Sequence, residues 1–267
     1  MSPLGQCSNL RYLGLSYNRL RSVDLLPLGR SVDLRELRLQ WNRLRSLDLS
    51  PLRTCSRLQV LNLARNKLWA VDLAPLGGCA ALEQLSLGPN ELGELDLAPL
   101  SGCHRLRMLY PIGIQLTSLD LTPLAQCRDL ERLYLSYNRL QSLDLSPLSH
   151  CTRLERLYLY NNCLTGLDLS PLSRCVGLEK LSLYGNQLTS VDVSPLFACP
   201  GLSMFRVDAS VELIADLALK EGGGAPQAIE QVKGVQQNKE VEKWPGLSLP
   251  TEWPQAVKTS SSRGQSR

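Results

Sequence analysis

With two histidines, no Cys-x-x-Cys pair and no nucleophile or phosphate-loop motif, this 267-residue chain is poorly equipped for catalysis. His104 and His150 stand apart, and the carboxylates Glu36 and Glu91 are isolated along the chain. An enzyme is therefore only the second function class, and its chemistry would have to come from a segment upstream. The Cys and His spacing offers no zinc site, and no cofactor or metal is expected. No apolar run reaches the roughly 20 residues of a membrane helix, and no secretory leader is visible. Asn-x-Ser/Thr acceptors are absent and the nine cysteines are odd in number, which favours a cytoplasmic, reducing location. Secreted and nuclear locations stay open.

What the chain has is repetition. Leucines at 10, 34, 58, 82, 106, 130, 154 and 178 open the same unit every 24 residues. The template is LxxLxLxxNxLxx(L/V)D(L/V)xPLxxC, with residues 130–151 a clean copy. Eight full units run from Leu10 to Gly201, partial ones flank them, and residues 1–207 read as one domain. Regular units of this length stack into a solenoid, each burying its apolar side only against its neighbours. The chain opens in mid-repeat, since Met1–Cys7 aligns with Leu145–Cys151. The expectation is an N-terminally truncated fragment, with a very short cap beginning at Met1 as the alternative.

The spacing LxxLxLxxNxL resembles the leucine-rich repeat family over about three quarters of the chain. The resemblance implies an α/β solenoid: a curved right-handed coil with a parallel β-sheet on its concave side. It also implies a binding role, mostly toward proteins, and in some members toward peptides, carbohydrates or nucleic acid.

The residues reach a similar fold by themselves. Alternation about Leu133-Tyr134-Leu135 sends the leucines inward and Arg132, Tyr134 and Ser136 outward. Asn138 turns the chain, and its amide can serve backbone groups of adjoining coils. Stacked, Asn18, Asn42, Asn66, Asn90, Asn138, Asn162 and Asn186 form a buried ladder. The Ser-Pro pair then reads as a helix start, with Ser50, Ser146, Ser170, Ser194 and Thr122 as N-caps and Pro at the first helical position. Ala74, Ala98 and Leu26 do not fit that cap. Only one helical or 3-10 turn fits before the next leucine, so the convex side is made of short turns.

Asp recurs at 24, 48, 72, 96, 120, 144, 168 and 192. Each can accept backbone N–H groups of the following turn. A calcium ladder is the other reading, weakened because each loop offers one carboxylate against the six to eight oxygens calcium takes. Cys55, Cys79, Cys103, Cys127, Cys151, Cys175 and Cys199 share one position, with Cys7 in phase and Cys163 off it. Such a column reads as small apolar filling, with free thiols.

The outward positions vary most. Tyr110, Tyr134 and Tyr158 recur in one column, Tyr160 and Tyr184 in the next, and Arg132, Arg156 and Lys180 beside them. Tyrosine and arginine are enriched at binding hot spots. These eight residues are the candidate partner-binding patch, and every tyrosine of the chain is assigned to a strand segment. The alternative is that the rings stack and merely stiffen the sheet. Pro111 and Ile114 break the template beside the patch, and Gly88-Pro89 loosens the adjoining turn, so a kink or small pocket is expected there. Residues 1–70 hold twelve Arg and Lys against four acids. Arg19, Arg21, Arg43, Arg45 and Lys67 form a basic rim, either a solvated edge or a contact for an acidic partner. Nucleic acid is disfavoured by a net charge of only +4 and by the lack of a binding motif.

Beyond the repeats, residues 208–221 read as a capping helix with Val211, Ile214, Leu217 and Ala218 as its apolar stripe. Residues 222–267 read as a disordered tail, with Trp244 to Trp253 a candidate docking motif. The function expected is a monomeric, non-enzymatic scaffold for another protein. Its alternatives are a piece of a larger receptor or regulator, or a binder of acidic partners through the basic rim.

Overall fold

The computed structural model describes residues 6, 7, 9–215, 228 and 229. Contacts divide the chain into two units, Met1–Gly234 and Val235–Arg267, and the second lies wholly outside the described residues. So does the rest of the expected tail, apart from Ala228 and Ile229, which are helical.

Each coil contributes one three-residue strand. These are β1 (Tyr12–Gly14), β2 (Glu36–Arg38), β3 (Val60–Asn62), β4 (Gln84–Ser86), β5 (Met108–Tyr110), β6 (Arg132–Tyr134), β7 (Arg156–Tyr158), β8 (Lys180–Ser182) and β10 (Met204–Arg206). They pair in parallel, in chain order, as one nine-stranded sheet. The register is the repeat itself: Leu37 lies opposite Leu61, and Leu133 opposite Leu157. Parallel neighbours stand about 4.8 Å apart, so every template position becomes a column along the solenoid. The inward leucines at 37, 61, 85, 109, 133, 157 and 181 have no exposed surface. Each such burial stabilises by roughly 1.5–3 kcal/mol.

The asparagine ladder forms along the predicted column, buried at Asn42, Asn90, Asn138 and Asn162 and half-buried at Asn66 and Asn186. Asn162 Nδ2 donates to Leu159 O at 2.9 Å and to Leu135 O of the preceding coil at 3.0 Å, and its Oδ1 accepts from Leu140 N at 3.2 Å. One amide thus satisfies three backbone groups across two coils. Asn18 differs because no described coil precedes it: it is exposed and bonds only Leu15 and Ser16 oxygens.

Eight 3-10 turns of five residues, from Leu26–Arg30 to Ser194–Ala198, line the other side. Their start differs from the expected serine cap. The serine is already the first residue of the turn, the capping position is the leucine before it, and no side chain caps it. The Asp does that work instead. Asp48 Oδ1 accepts from Ser50 N at 2.8 Å, Asp72 from Ala74 N at 2.8 Å and Asp24 from Leu26 N at 2.9 Å. All eight aspartates make this bond. That is why Ala74, Ala98 and Leu26 start turns as well as serine does. In four of the turns a hydroxyl adds a second bond: the Ser50 side chain and backbone together hold the Asp48 carboxyl below its ordinary value, as Thr122, Ser146 and Ser194 do for Asp120, Asp144 and Asp192.

Each ladder thiol lies over the preceding turn. Cys151 Sγ donates to Leu124 O at 3.4 Å and Cys175 Sγ to Leu148 O at 3.4 Å. Ser31 holds the same position in an earlier coil, donating from its hydroxyl to Cys7 O at 3.2 Å. The seven thiols from Cys55 to Cys199 are buried and free; Cys163 is half-buried and Cys7 exposed. Burial pushes the Cys151 and Cys175 thiols up to about 12.

The expected helix from Ser210 is not formed in the described part. Glu212–Ile214 is instead a strand, β11, parallel to β9 (Ser190–Asp192). Glu212 N donates to Thr189 O at 2.9 Å, and Val193 N to Ile214 O at 2.8 Å. The open backbone of the last coil supplies these bonds, which a helix would leave unmade. Burial follows the period of two: Val211 is buried and Leu213 partly so, whereas Ile214, placed in the helical stripe, is half exposed. Residues 216–221, with Leu217 and Ala218, lie outside the described residues.

Candidate partner-binding face

Strands β5 to β8 carry the predicted patch, and their register sets its columns. Met108, Arg132, Arg156 and Lys180 are consecutive partners in one column. Tyr134 lies opposite Tyr158 in the next, with Ser182 after it. The structure therefore brings the arginines, the lysine and Tyr134 and Tyr158 together. Only Tyr12, Tyr110, Tyr134 and Tyr158 lie within strands, however; Tyr17, Tyr137, Tyr160 and Tyr184 follow them, in the turn.

The rings pack on one another. Tyr110 and Tyr134 have centroids 4.9 Å apart and are tilted, while Tyr134 and Tyr158 are stacked at 4.5 Å. Tyr158 meets Tyr160 at 6.0 Å, and Tyr160 meets Tyr137 edge-on at 5.2 Å. Outward direction is not exposure: Tyr110, Tyr134 and Tyr158 are only 6%, 5% and 5% exposed. Rings less than 5 Å apart cover each other's faces, which a reading of alternation alone overlooks. Of the predicted tyrosines Tyr160 is half-buried, and Tyr184, 55% exposed, is the open one.

Charge surrounds the stack. Burial pushes the Tyr110 phenol up to about 12, and nearby Tyr134 adds to this; the charge and hydrogen bond of Arg132 and the charge of Arg156 act the other way. Three cations about 4.8 Å apart repel one another. The carboxylate column one residue earlier offsets part of that, with Glu155 3.9 Å from Arg132; Glu131 pairs instead with Arg107 of its own column at 2.8 Å. In β2, Glu36 accepts from Arg38 Nε at 2.7 Å, so it is not the isolated carboxylate its sequence context suggests.

Coil five keeps its place despite the broken template. Leu135 and Leu159 donate backbone bonds to Tyr158 and Ser182 oxygens at 2.8 and 2.9 Å, a bond Pro111 lacks the N–H to make. The β5–β6 register accordingly ends at Leu109 opposite Leu133. Asn138 repairs the loss of the asparagine at 114, accepting from both Ile114 N and Leu116 N at 3.1 Å. The coils close tightly there, since a Cβ on Gly88 would sit 1.6 Å from Ile112 O.

Tyr137 escaped the sequence reading. It belongs to a column directly before the asparagines, where Tyr17, Trp41, Arg65, Tyr137 and Asn161 all have left-handed backbone with φ between 54° and 60°. That conformation is uncommon for large side chains. Gly113 and Gly185 in the same column were the available signal. The five cations expected to form a basic rim, Arg19, Arg21, Arg43, Arg45 and Lys67, are all exposed. Among the described residues no group of His, Cys, Asp and Glu could hold a metal ion, and no helix is long and apolar enough to cross a membrane.

The leucine-rich repeat family model matches residues 32–92, 56–110 and 128–202. Among solved structures, an internalin C2 from Listeria monocytogenes is 24% identical with a TM-score of 0.63, over 77% of this chain and 84% of that one. An internalin from the same organism is 22% identical with a TM-score of 0.65, over 85% and 63%. The ectodomain of a plant membrane receptor kinase from Arabidopsis thaliana, solved in complex with Casparian strip integrity factor 2, is 23% identical with a TM-score of 0.61, over 86% and 29%. At these identities the likeness is one of fold. No curated protein sequence matches the chain. The matched repeats span more than half of its residues, and the chain belongs to the leucine-rich repeat family.

Proposed function

We propose that this protein is a non-enzymatic scaffold that receives a protein partner on the concave face above β5 to β8. The observation that carries the reading is the chain of five contacting tyrosine rings, Tyr110, Tyr134, Tyr158, Tyr160 and Tyr137. Stacking alone would stiffen a sheet, yet β1 to β4 are built on the same frame with Gly14, Arg38, Asn62 and Ser86 in that column. A rigid base also spends little ordering entropy when a partner arrives. Tyr110, Tyr134 and Tyr158 form the base with Arg132; Tyr160, Tyr184, Arg156 and Lys180 make the contact. The protein acts as a monomer in the cytoplasm, a location supported by seven buried thiols left free in the fold.

The test is capture of the partner, followed by quantitative binding. Tyr158→Ala should lose about 2 kcal/mol or more, roughly thirtyfold in affinity. Tyr184→Ala and Arg156→Ala should weaken binding while the fold stays intact. Rim variants at Arg19 or Arg43 should alter mainly salt dependence and association rate. If the patch variants bind like the parent and the rim variants lose the partner, the tyrosine stack is structural and the rim is the site.

A further inference from the structure

The first three coils carry a different column. The left-handed turn residues Tyr17, Trp41 and Arg65 pack in order, with Tyr17 stacked on Trp41 at 5.7 Å and 18°. The Arg65 guanidinium carbon lies 4.2 Å from the centre of the Trp41 ring. Trp41 comes from the middle coil of the three, so its two faces are covered by Tyr17 and Arg65. Arg65 is only 9% exposed, and its Nε and Nη2 have no hydrogen-bond partner; neither has Trp41 Nε1 nor Gln40 Oε1. Burial holds the Arg65 guanidinium below its ordinary value.

Arg65 is the one side chain among the described residues with two buried nitrogens lacking a hydrogen-bond partner, and such unmade bonds are costly. Nε and Nη2 are the fork that grips a carboxylate through two parallel bonds. The surroundings favour an anion. Arg19, Arg43 and Lys67 follow the three column residues by two positions, within about 7 Å along the backbone, and Arg21 and Arg45 follow two positions later. None of these five cations has a carboxylate within ion-pair distance among the described residues.

We propose that Arg65, stacked on Trp41, receives a carboxylate from an acidic segment of a protein partner laid along the N-terminal basic rim. The guanidinium leaves the Trp41 face as it engages, because its fork is covered while the stack is closed. The remaining acidic side chains lie against Arg19, Arg43 and Lys67. An acidic peptide is favoured over single-stranded nucleic acid because the net charge is only +4 and no nucleic-acid-binding motif is present. The proposal is independent of the tyrosine platform on β5 to β8.

The experiment titrates the full-length protein with a fluorescein-labelled sixteen-residue glutamate peptide at low salt, reading anisotropy and tryptophan emission. A glutamine peptide of equal length and a thymidine oligonucleotide are run alongside. The glutamate peptide should bind and change the emission, and the change should vanish in Trp41→Phe and persist in Trp69→Phe. Arg65→Gln should weaken binding at least tenfold, Arg65→Lys should recover only part, and Arg139→Gln, in a later coil, should bind like the parent. Equal binding by Arg65→Gln, equal binding of the glutamine peptide, or tighter binding of the oligonucleotide would overturn the proposal. Should Arg65→Gln fail to fold, an unchanged tryptophan emission in the parent would overturn it as well.

Discussion

Coils one to three and coils five to eight are built on one frame and present two different surfaces. From the second coil on, the inward strand leucines are buried in both halves; asparagine amides such as Asn42 and Asn162 bridge coils, and the same aspartate opens the 3-10 turn. Outward they diverge. The later coils cover their tyrosines with one another and set carboxylates beside their arginines. The earlier coils leave an exposed row of cations and a buried guanidinium with unmade bonds. Inward columns repeat because each must mate with an identical neighbour; outward columns have no such constraint and are free to specialise.

If the frame is common, breaking it should cost the same in either half. Leu61→Asp and Leu135→Asp each place a carboxylate where no surface is exposed. Each should lose on the order of 3–5 kcal/mol in denaturant unfolding. A variant that keeps its unfolding midpoint would refute the register in that half.

The asparagines sharpen the comparison at lower cost. Asn138 donates to Leu135 and Pro111 oxygens at 2.8 and 2.9 Å and accepts from two amides, whereas Asn18 is exposed with local bonds only. Asn138→Ala should lose about 2 kcal/mol or more by orphaning buried backbone groups. Asn18→Ala should stay within about 0.5 kcal/mol of the parent, as surface changes do. Equal losses would mean that bridging between coils is not what the ladder contributes.

Thiol chemistry probes both halves at once. On native protein Cys7 and Cys163 should label first, and the ladder from Cys55 to Cys199 only after denaturation. Rapid labelling of one half alone would show that half to be loosely packed. The ladder thiols lie above their ordinary value of 9.0, Cys103 and Cys199 at about 11 and Cys79, Cys127, Cys151 and Cys175 at about 12, because burial disfavours the thiolate. Their stabilisation is whole below the unfolded value and is lost as pH rises through the folded values, so melting temperature should fall above about pH 9. The smallest effect lies at the acid end. Hydrogen bonds hold Asp48, Asp120, Asp144 and Asp192 below 3.8, so what they contribute is present above that value and fades as pH falls beneath it. Replacing all four by Asn should flatten the acid limb of a melting-temperature profile; an unchanged limb would remove these bonds from the account.

The frame was legible in the sequence because it is repeated: the leucine, asparagine, aspartate and cysteine columns all stand where the period of 24 puts them. Ser50 was misread because Ser-Pro is a common helix start; the aspartate two residues earlier, expected to accept N–H groups of the following turn, makes the bond assigned to the serine. The strand at Glu212–Ile214 was missed because its period of two appears only against the open edge of β9. The burial of Tyr134 depends on rings from two adjoining coils, which no single unit contains. The fork of Arg65 has no sequence signal beyond its column, since an arginine there looks like any other rim cation.

Side-chain footprinting by hydroxyl radicals, on the free protein and on its complex with the captured partner, tests most directly whether the outward columns of the later coils do the binding. Tyr184 and Trp69 are suited to it, being 55% and 64% exposed in the two halves. The account predicts that Tyr184, Tyr160 and Tyr137 become protected in the complex while Tyr12 and Trp69 oxidise as before. Unchanged oxidation at Tyr184 and Tyr160, with protection confined to the earlier coils or to the 3-10 turns, would contradict it.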